Sequence, residues 1–234
     1  MIDYDEFPTE SVTVELRYPQ APLLWDETGR IWNYLRNRFP ELKIANGVPN
    51  QQVFESLNLR AVTELEAMRV QCRGPKPEIR AAEVAQEMFE ICSKRLQLTL
   101  VTRLGFRVIK VRKFPTISEA VSHARFIVPP QISEAVDESA KVTALQVGFK
   151  HESDGLGLSA AIRVEEREIK VNIPWEVSGR FDPEVTKSFS KEPIVVLDSD
   201  YFTTAATEIE SLNLLEWTKQ AERYIKKYWK KVIQ

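Results

Sequence analysis

The stretch TALQVGFKHESDGLGLSAAIRVEEREIKVNIP, residues 143–174, decides the fold class. Leu145, Val147 and Phe149 alternate with polar neighbours, Ser153, Asp154 and Gly155 signal a turn, and Leu158, Ala160, Ile162 and Val164 alternate after it. Ile169, Val171 and Ile173 make a third such run. A period of two marks a strand covered on one face, and strands joined by so short a turn run antiparallel. GLGLSA, residues 155–160, superficially fits the Gly-x-Gly-x-x-Ala phosphate turn. That turn must lead into a helix, whereas Ala161 to Glu166 alternates like a strand, so Asp154, Gly155 and Gly157 read as hairpin turn and edge.

Downstream, residues 194–200, IVVLDSD, read as a fourth strand, and a long amphipathic helix closes the chain. At 100° per residue that helix gathers Leu214, Trp217, Ala221, Ile225, Tyr228 and Val232 on one side, and Lys219, Arg223, Lys226, Lys227 and Lys230 on the other. Asn213, three residues before Glu216, fits its N-cap.

Upstream, Val12, Val14 and Leu16 alternate as an opening strand, and Trp25, Ile31, Trp32, Leu35 and Phe39 recur at helical spacing before Pro40. Between Gln51 and Arg73 helical and strand templates compete. Val53, Leu57, Leu65 and Met68 suit a helix, Met68, Val70 and Cys72 suit a strand, and strands at both ends are expected. Residues 76–96 form a helix with Ile79, Val84, Met88, Phe89 and Ile91 on its apolar side. In VTRLGFRVIKVRKFP, residues 101–115, Leu104, Phe106 and Val108 share one parity while Ile109 and Val111 take the other, which predicts a bulge near Val108. A short helix follows around 116–124. Without strict strand-helix-strand alternation these elements predict an α+β fold, largely antiparallel sheet packed under helices. The halves 1–128 and 142–234 are joined by 129–141, which contains Pro129-Pro130 and an acidic run, either as separate domains or within one.

The 234 residues carry 32 basic and 34 acidic side chains, so no global field draws the chain onto nucleic acid or anionic lipid, and any such contact is local. The acidic start MIDYDEFPTE lacks the apolar core of a secretory signal, and no apolar run is long enough to span a bilayer. A cytoplasmic protein with no membrane partner is expected. Cys72 and Cys92 read as buried, reduced thiols.

Taken in order, the early strand-helix unit, the Arg-x-Gly-x-Arg of TRLGFRVIKV (102–111) and the Asp-x-Asp-Tyr of VVLDSDYF (195–202) resemble an uncharacterised, sporadically distributed prokaryotic protein family. Val108-Ile109 stands where that family has Tyr-Asn, and its opening proline-rich motif is echoed by Pro19 to Pro22. The resemblance implies a bacterial or archaeal cytosolic protein from a defence or mobile-element neighbourhood, and it assigns no activity.

Asp198 and Asp200 are the sharpest chemical feature. On a regular strand they face one side roughly 6.6 Å apart. Unpaired, they would repel by about 2.5 kcal/mol at an effective dielectric of about 20, so a buried pair needs a metal or a basic partner. The sequence reads them as the polar end of a strand, with a metal-dependent hydrolase or nuclease as the alternative. His123 and His151 read as surface or capping residues. Arg103, Arg107, Lys110, Arg112 and Lys113 form a positive strand face, and Lys219, Arg223, Lys226, Lys227 and Lys230 a positive helix face. Either could follow a phosphate backbone. No Gly-x-Ser-x-Gly or Walker A motif is present, and no cofactor is implied. The leading expectation is a non-enzymatic interaction or assembly protein, partnered by another protein or a second copy, with nucleic-acid binding as a further alternative.

Overall fold

Among the described residues, alternating strand patterns and amphipathic helices assemble into a large antiparallel sheet with the helices packed on one face. The computed structural model describes residues 3–124, 145–168 and 191–232. In chain order the elements are β1 (Thr9–Arg17), α1 (Leu24–Arg38), β2 (Lys43–Val48), β3 (Gln51–Glu55), β4 (Leu59–Glu64), β5 (Ala67–Arg73), α2 (Pro77–Leu96), β6 (Leu100–Val101), β7 (Arg103–Lys113), α3 (Ile117–Ala124), β8 (Leu145–Ser153), β9 (Leu156–Glu168), β10 (Lys191–Thr203), β11 (Thr207–Glu208) and α4 (Leu214–Val232). Among the described residues nine strands form one sheet, in the order β2-β3-β4-β5-β1-β7-β10-β9-β8 with every pairing antiparallel, and β6 and β11 form a separate short ladder. The chain is therefore α+β. Since β7 pairs with β10, residues from the two sides of 129–141 share this sheet.

Parity sorts the sheet into two faces. Val12, Val14 and Leu16 of β1 lie in register with Cys72, Val70 and Met68 of β5 and with Val108, Phe106 and Leu104 of β7. The row continues through Leu197 and Tyr201 to Ile162 and Leu158. These residues join the buried residues of the four described helices in one core cluster. In α4 the buried stripe is Leu214, Thr218, Ala221, Ile225 and Trp229, with Trp217, Tyr228 and Val232 only partly covered. The stripe thus centres on Trp229, whose indole Nε1 donates to Ser199 Oγ at 2.6 Å. Asn213 Oδ1 accepts from the Glu216 backbone N–H at 3.0 Å, as the capping pattern predicts.

Several sequence expectations are revised. The two parities of β7 need no bulge near Val108, because its pairing with β10 is regular and each parity serves one face. The extra residue is Glu10 in β1, where Thr9 and Ser11 oppose the adjacent Lys110 and Ile109. The 51–73 segment does have strands at both ends, but β4 lies between them, and Leu57 projects from the turn into water, 94% exposed. Trp25 and Ile79 keep the helical spacing yet lie outside the buried stripes. Asp154 and Gly155, at φ 54° and 76°, form the two-residue β8–β9 turn, where positive φ matches the strand twist. The run Ile169, Val171 and Ile173 and the connection 129–141 lie outside the described residues. Among those described, no helix is long and apolar enough to cross a membrane.

Candidate functional site

The opposite face of the sheet carries the other parity, and at its centre that parity is charged. Glu15 of β1 lies directly between Arg69 of β5 and Gly105 of β7. Its carboxylate accepts from Arg17 Nε at 2.8 Å, Arg69 Nε at 2.8 Å and Arg103 Nη1 at 3.1 Å. Gly105 leaves room for the third contact: a Cβ there would stand 2.7 Å from Arg103 Nη1 and would push the end of the Arg103 side chain from this position. From that position Arg103 also donates from Nη2 to Asp200 at 2.7 Å and stacks 4.7 Å from the Phe202 ring centroid.

The next pair along the strands is bidentate. Arg107 donates from Nε and Nη2 to the two oxygens of Asp198, at 2.8 and 2.6 Å, and Arg163 Nη1 adds a bond at 3.2 Å. The motifs Arg-x-Gly-x-Arg and Asp-x-Asp therefore interlock: alternation aims both arginines and both aspartates at one face, and the antiparallel register brings them together. Asp198 and Asp200 lie within β10 rather than at its end, and each already has a basic partner. Among the described residues no group of three or more His, Cys, Asp or Glu is placed to hold a metal ion.

Burial ranks these groups. The side chains of Glu15 and Asp198 are 13% and 9% exposed, whereas those of Arg17, Arg69 and Arg107 are 55%, 42% and 50% exposed. Glu15 and Asp198 thus form a floor beneath Arg17, Arg69 and Arg107, whose remaining N–H donors meet water, whereas Arg103 and Asp200, at 23% and 30%, sit at similar depth. Five guanidinium groups (Arg17, Arg69, Arg103, Arg107, Arg163) meet three carboxylates (Glu15, Asp198, Asp200), which leaves the patch net positive. Burial alone would raise the proton affinity of Glu15, but hydrogen bonds from Arg17 and Arg69 outweigh it and hold the carboxyl below its usual range. At Asp200 burial wins over the attraction of Arg103, and its pKa is raised. The Asp198 bonds raise Arg107. A concavity of about 380 Å³ opens over Glu15, Arg17, Arg69, Arg103, Arg107 and Asp200.

The sequence had grouped Lys110, Arg112 and Lys113 with Arg103 and Arg107. Parity separates Lys110 and Arg112 from them, onto the helix side. Lys110 Nζ donates to the Phe7 carbonyl at 2.9 Å and sits over the Tyr4 ring, and Arg112 pairs with Glu6 and stacks on Phe114. Lys113 Nζ lies 2.6 Å from Glu192. Glu15, Arg17, Arg69, Arg163 and Phe202 were not singled out from the sequence. Their signal was present in the polar parity of TVELR (13–17) and MRVQC (68–72), which mirrors the apolar parity beside it.

Lys219, Arg223, Lys226, Lys227 and Lys230 are exposed on α4. Two of them face a carboxylate: Lys226 and Lys230 approach Asp5 at 2.8 and 3.6 Å. His123 is half-buried rather than fully at the surface. It packs against Phe114 and Phe7, with centroids 4.9 and 6.2 Å away, and burial followed by the Arg112 charge lowers its pKa. His151 is exposed on β8. Cys72 and Cys92 are buried free thiols, each pushed up to about 12, chiefly by burial. No protein-family model matches the chain, and no curated protein matches it.

Proposed function

We propose that the protein is a non-enzymatic interaction protein and that its docking surface is the arginine-rich face of the sheet, which receives carboxylates from an acidic protein partner. The observation that carries this reading is the vertical order of charge at its centre, with the Arg17, Arg69 and Arg107 guanidinium groups about half in water above the buried carboxylates of Glu15 and Asp198. Arginines fixed in this way have lost much of their side-chain freedom before a partner arrives, which lowers the entropic cost of association. The free N–H donors match carboxylates in bidentate geometry. The interspersed Glu15, Asp198 and Asp200 favour discrete acidic side chains over a continuous phosphate backbone, which would pass close to each of them. A cytosolic role in a prokaryotic defence or mobile-element module is consistent with the family resemblance and belongs to the same proposal.

The test is fluorescence anisotropy at low salt with three labelled probes: an oligo-glutamate peptide, an oligo-lysine peptide and a short DNA duplex. The oligo-glutamate peptide should bind, and Arg69→Gln with Arg107→Gln should weaken it by roughly tenfold or more. Equal affinity for all three probes, or preference for the duplex, would refute the acidic-partner reading. In the latter case the five basic residues of α4 would be the next surface to neutralise.

A further inference from the structure

A second site lies on the other side of the molecule and does not depend on the arginine face. Between α2 and α4 a crevice of about 260 Å³ reaches down to Phe106 of the sheet. Phe106 is 1% exposed and forms the floor, while Ile79 and Leu215, unusually exposed for their size at 57% and 37%, stand at the mouth. Two carboxylates line this apolar space, half-buried Glu78 from α2 and exposed Glu222 from α4. Glu78 accepts from the Thr9 hydroxyl at 2.6 Å, and among the described residues Glu222 has no ion-pair partner. The third acid of the lining, Glu83, is 3.8 Å from Arg80, and Lys219 sits exposed at the rim.

We propose that this crevice binds a small organic ammonium ion with an apolar body, the body resting on Phe106 between Ile79 and Leu215 and the ammonium group lying between Glu78 and Glu222. The volume is that of roughly nine water molecules at about 30 Å³ each, enough for an aromatic ring with a short alkyl stem. The charges select the sign of the head group: Glu78, Glu83 and Glu222 line the crevice against one lining cation, Lys219, so an added cation is favoured there and an added anion is not. Burial and then the neighbouring Glu78 already raise the proton affinity of Glu222, while Lys110, Lys226 and Arg223 only partly counter them. An apolar wall with a few convergent polar groups is the usual make-up of a small-molecule site.

The experiment is calorimetric titration of the full chain with 2-phenylethylammonium, and with 3-phenylpropionate as a probe of similar shape and opposite charge. The ammonium should bind saturably and at least tenfold more tightly than the carboxylate. Glu222→Gln, at an exposed helix position, should weaken it about tenfold, and Ala82→Trp, which fills the crevice, should abolish it. Arg69→Gln on the sheet face should leave it unchanged, which separates this site from the acidic-partner surface. Absence of saturable ammonium binding, equal affinity for the two probes, or full binding by Glu222→Gln would each overturn the proposal.

Discussion

The two faces of the one sheet are built from the same strands and differ in what holds them. On the helix side Val14, Phe106, Tyr201 and Leu158 form a continuous apolar row beneath α2 and α4, and Ser199 in its midst is paired with Trp229. On the other side, one residue along each strand, Glu15, Arg107 and Asp200 stand where a second core layer would otherwise be. A sheet that needed only stability could have been apolar on both faces. Ionic networks with half-exposed arginines contribute little to stability for the side-chain ordering they require. The contrast separates a face that makes the fold from a face that the fold presents.

The largest effect of a single change should come from the helix side. Trp229→Ala removes a wholly buried indole and leaves the Ser199 hydroxyl without its donor, so a loss of about 3–5 kcal/mol in urea unfolding is expected. A cost under about 1 kcal/mol would mean that α4 does not close this core.

On the charged face the most costly deletion should be Arg107→Ala, because it strips the bidentate partner from nearly buried Asp198 and leaves only the longer Arg163 bond. A loss of about 1–3 kcal/mol is expected. Adding Asp198→Ala should return part of it, since the double variant no longer buries an underpaired carboxylate, and the coupling is read from the double-mutant cycle. Strict additivity of the two single changes would show that the pair is not coupled.

Smaller still is the pH response of His123. Its folded pKa lies below the ordinary value of about 6.5, so the unfolded chain takes up its proton first as pH falls. Stability from this group is complete above about pH 6.5, declines as pH drops from there to the lowered folded pKa, and is constant below it. His123→Phe should remove that slope from the pH dependence of the melting temperature. The least effect should follow Lys226→Ala with Lys230→Ala, which breaks exposed contacts to Asp5 for less than about 1 kcal/mol and should vanish in concentrated salt.

Much of the architecture was legible because burial writes itself into periodicity. The β8–β9 hairpin, the N-cap at Asn213 and the helix 76–96 follow from apolar spacing and turn chemistry that act within a few residues. The charged site was half legible. Arg103, Arg107, Asp198 and Asp200 stood out, yet alternation alone could not say that these two motifs lie on neighbouring strands. That needs the β7–β10 pairing, formed between residues about ninety positions apart. Glu15 was hidden for the same reason: beside Val14 and Leu16 it is an ordinary solvent-facing residue until Arg69 and Arg103 arrive from strands on either side. Lys110 and Arg112 misled in the opposite direction, because a run of basic residues on a strand is divided between two faces.

The most direct test measures stability and binding on one variant, Arg17→Gln with Arg69→Gln. Both side chains are about half exposed, and Glu15 keeps Arg103 as a partner when they are gone. If this face is presented for binding, the urea midpoint should change by no more than about 1 kcal/mol of stability, while affinity for the oligo-glutamate peptide falls by roughly tenfold or more. A loss of several kcal/mol with peptide affinity unchanged would contradict it, and would make the arginine network a structural layer of the sheet.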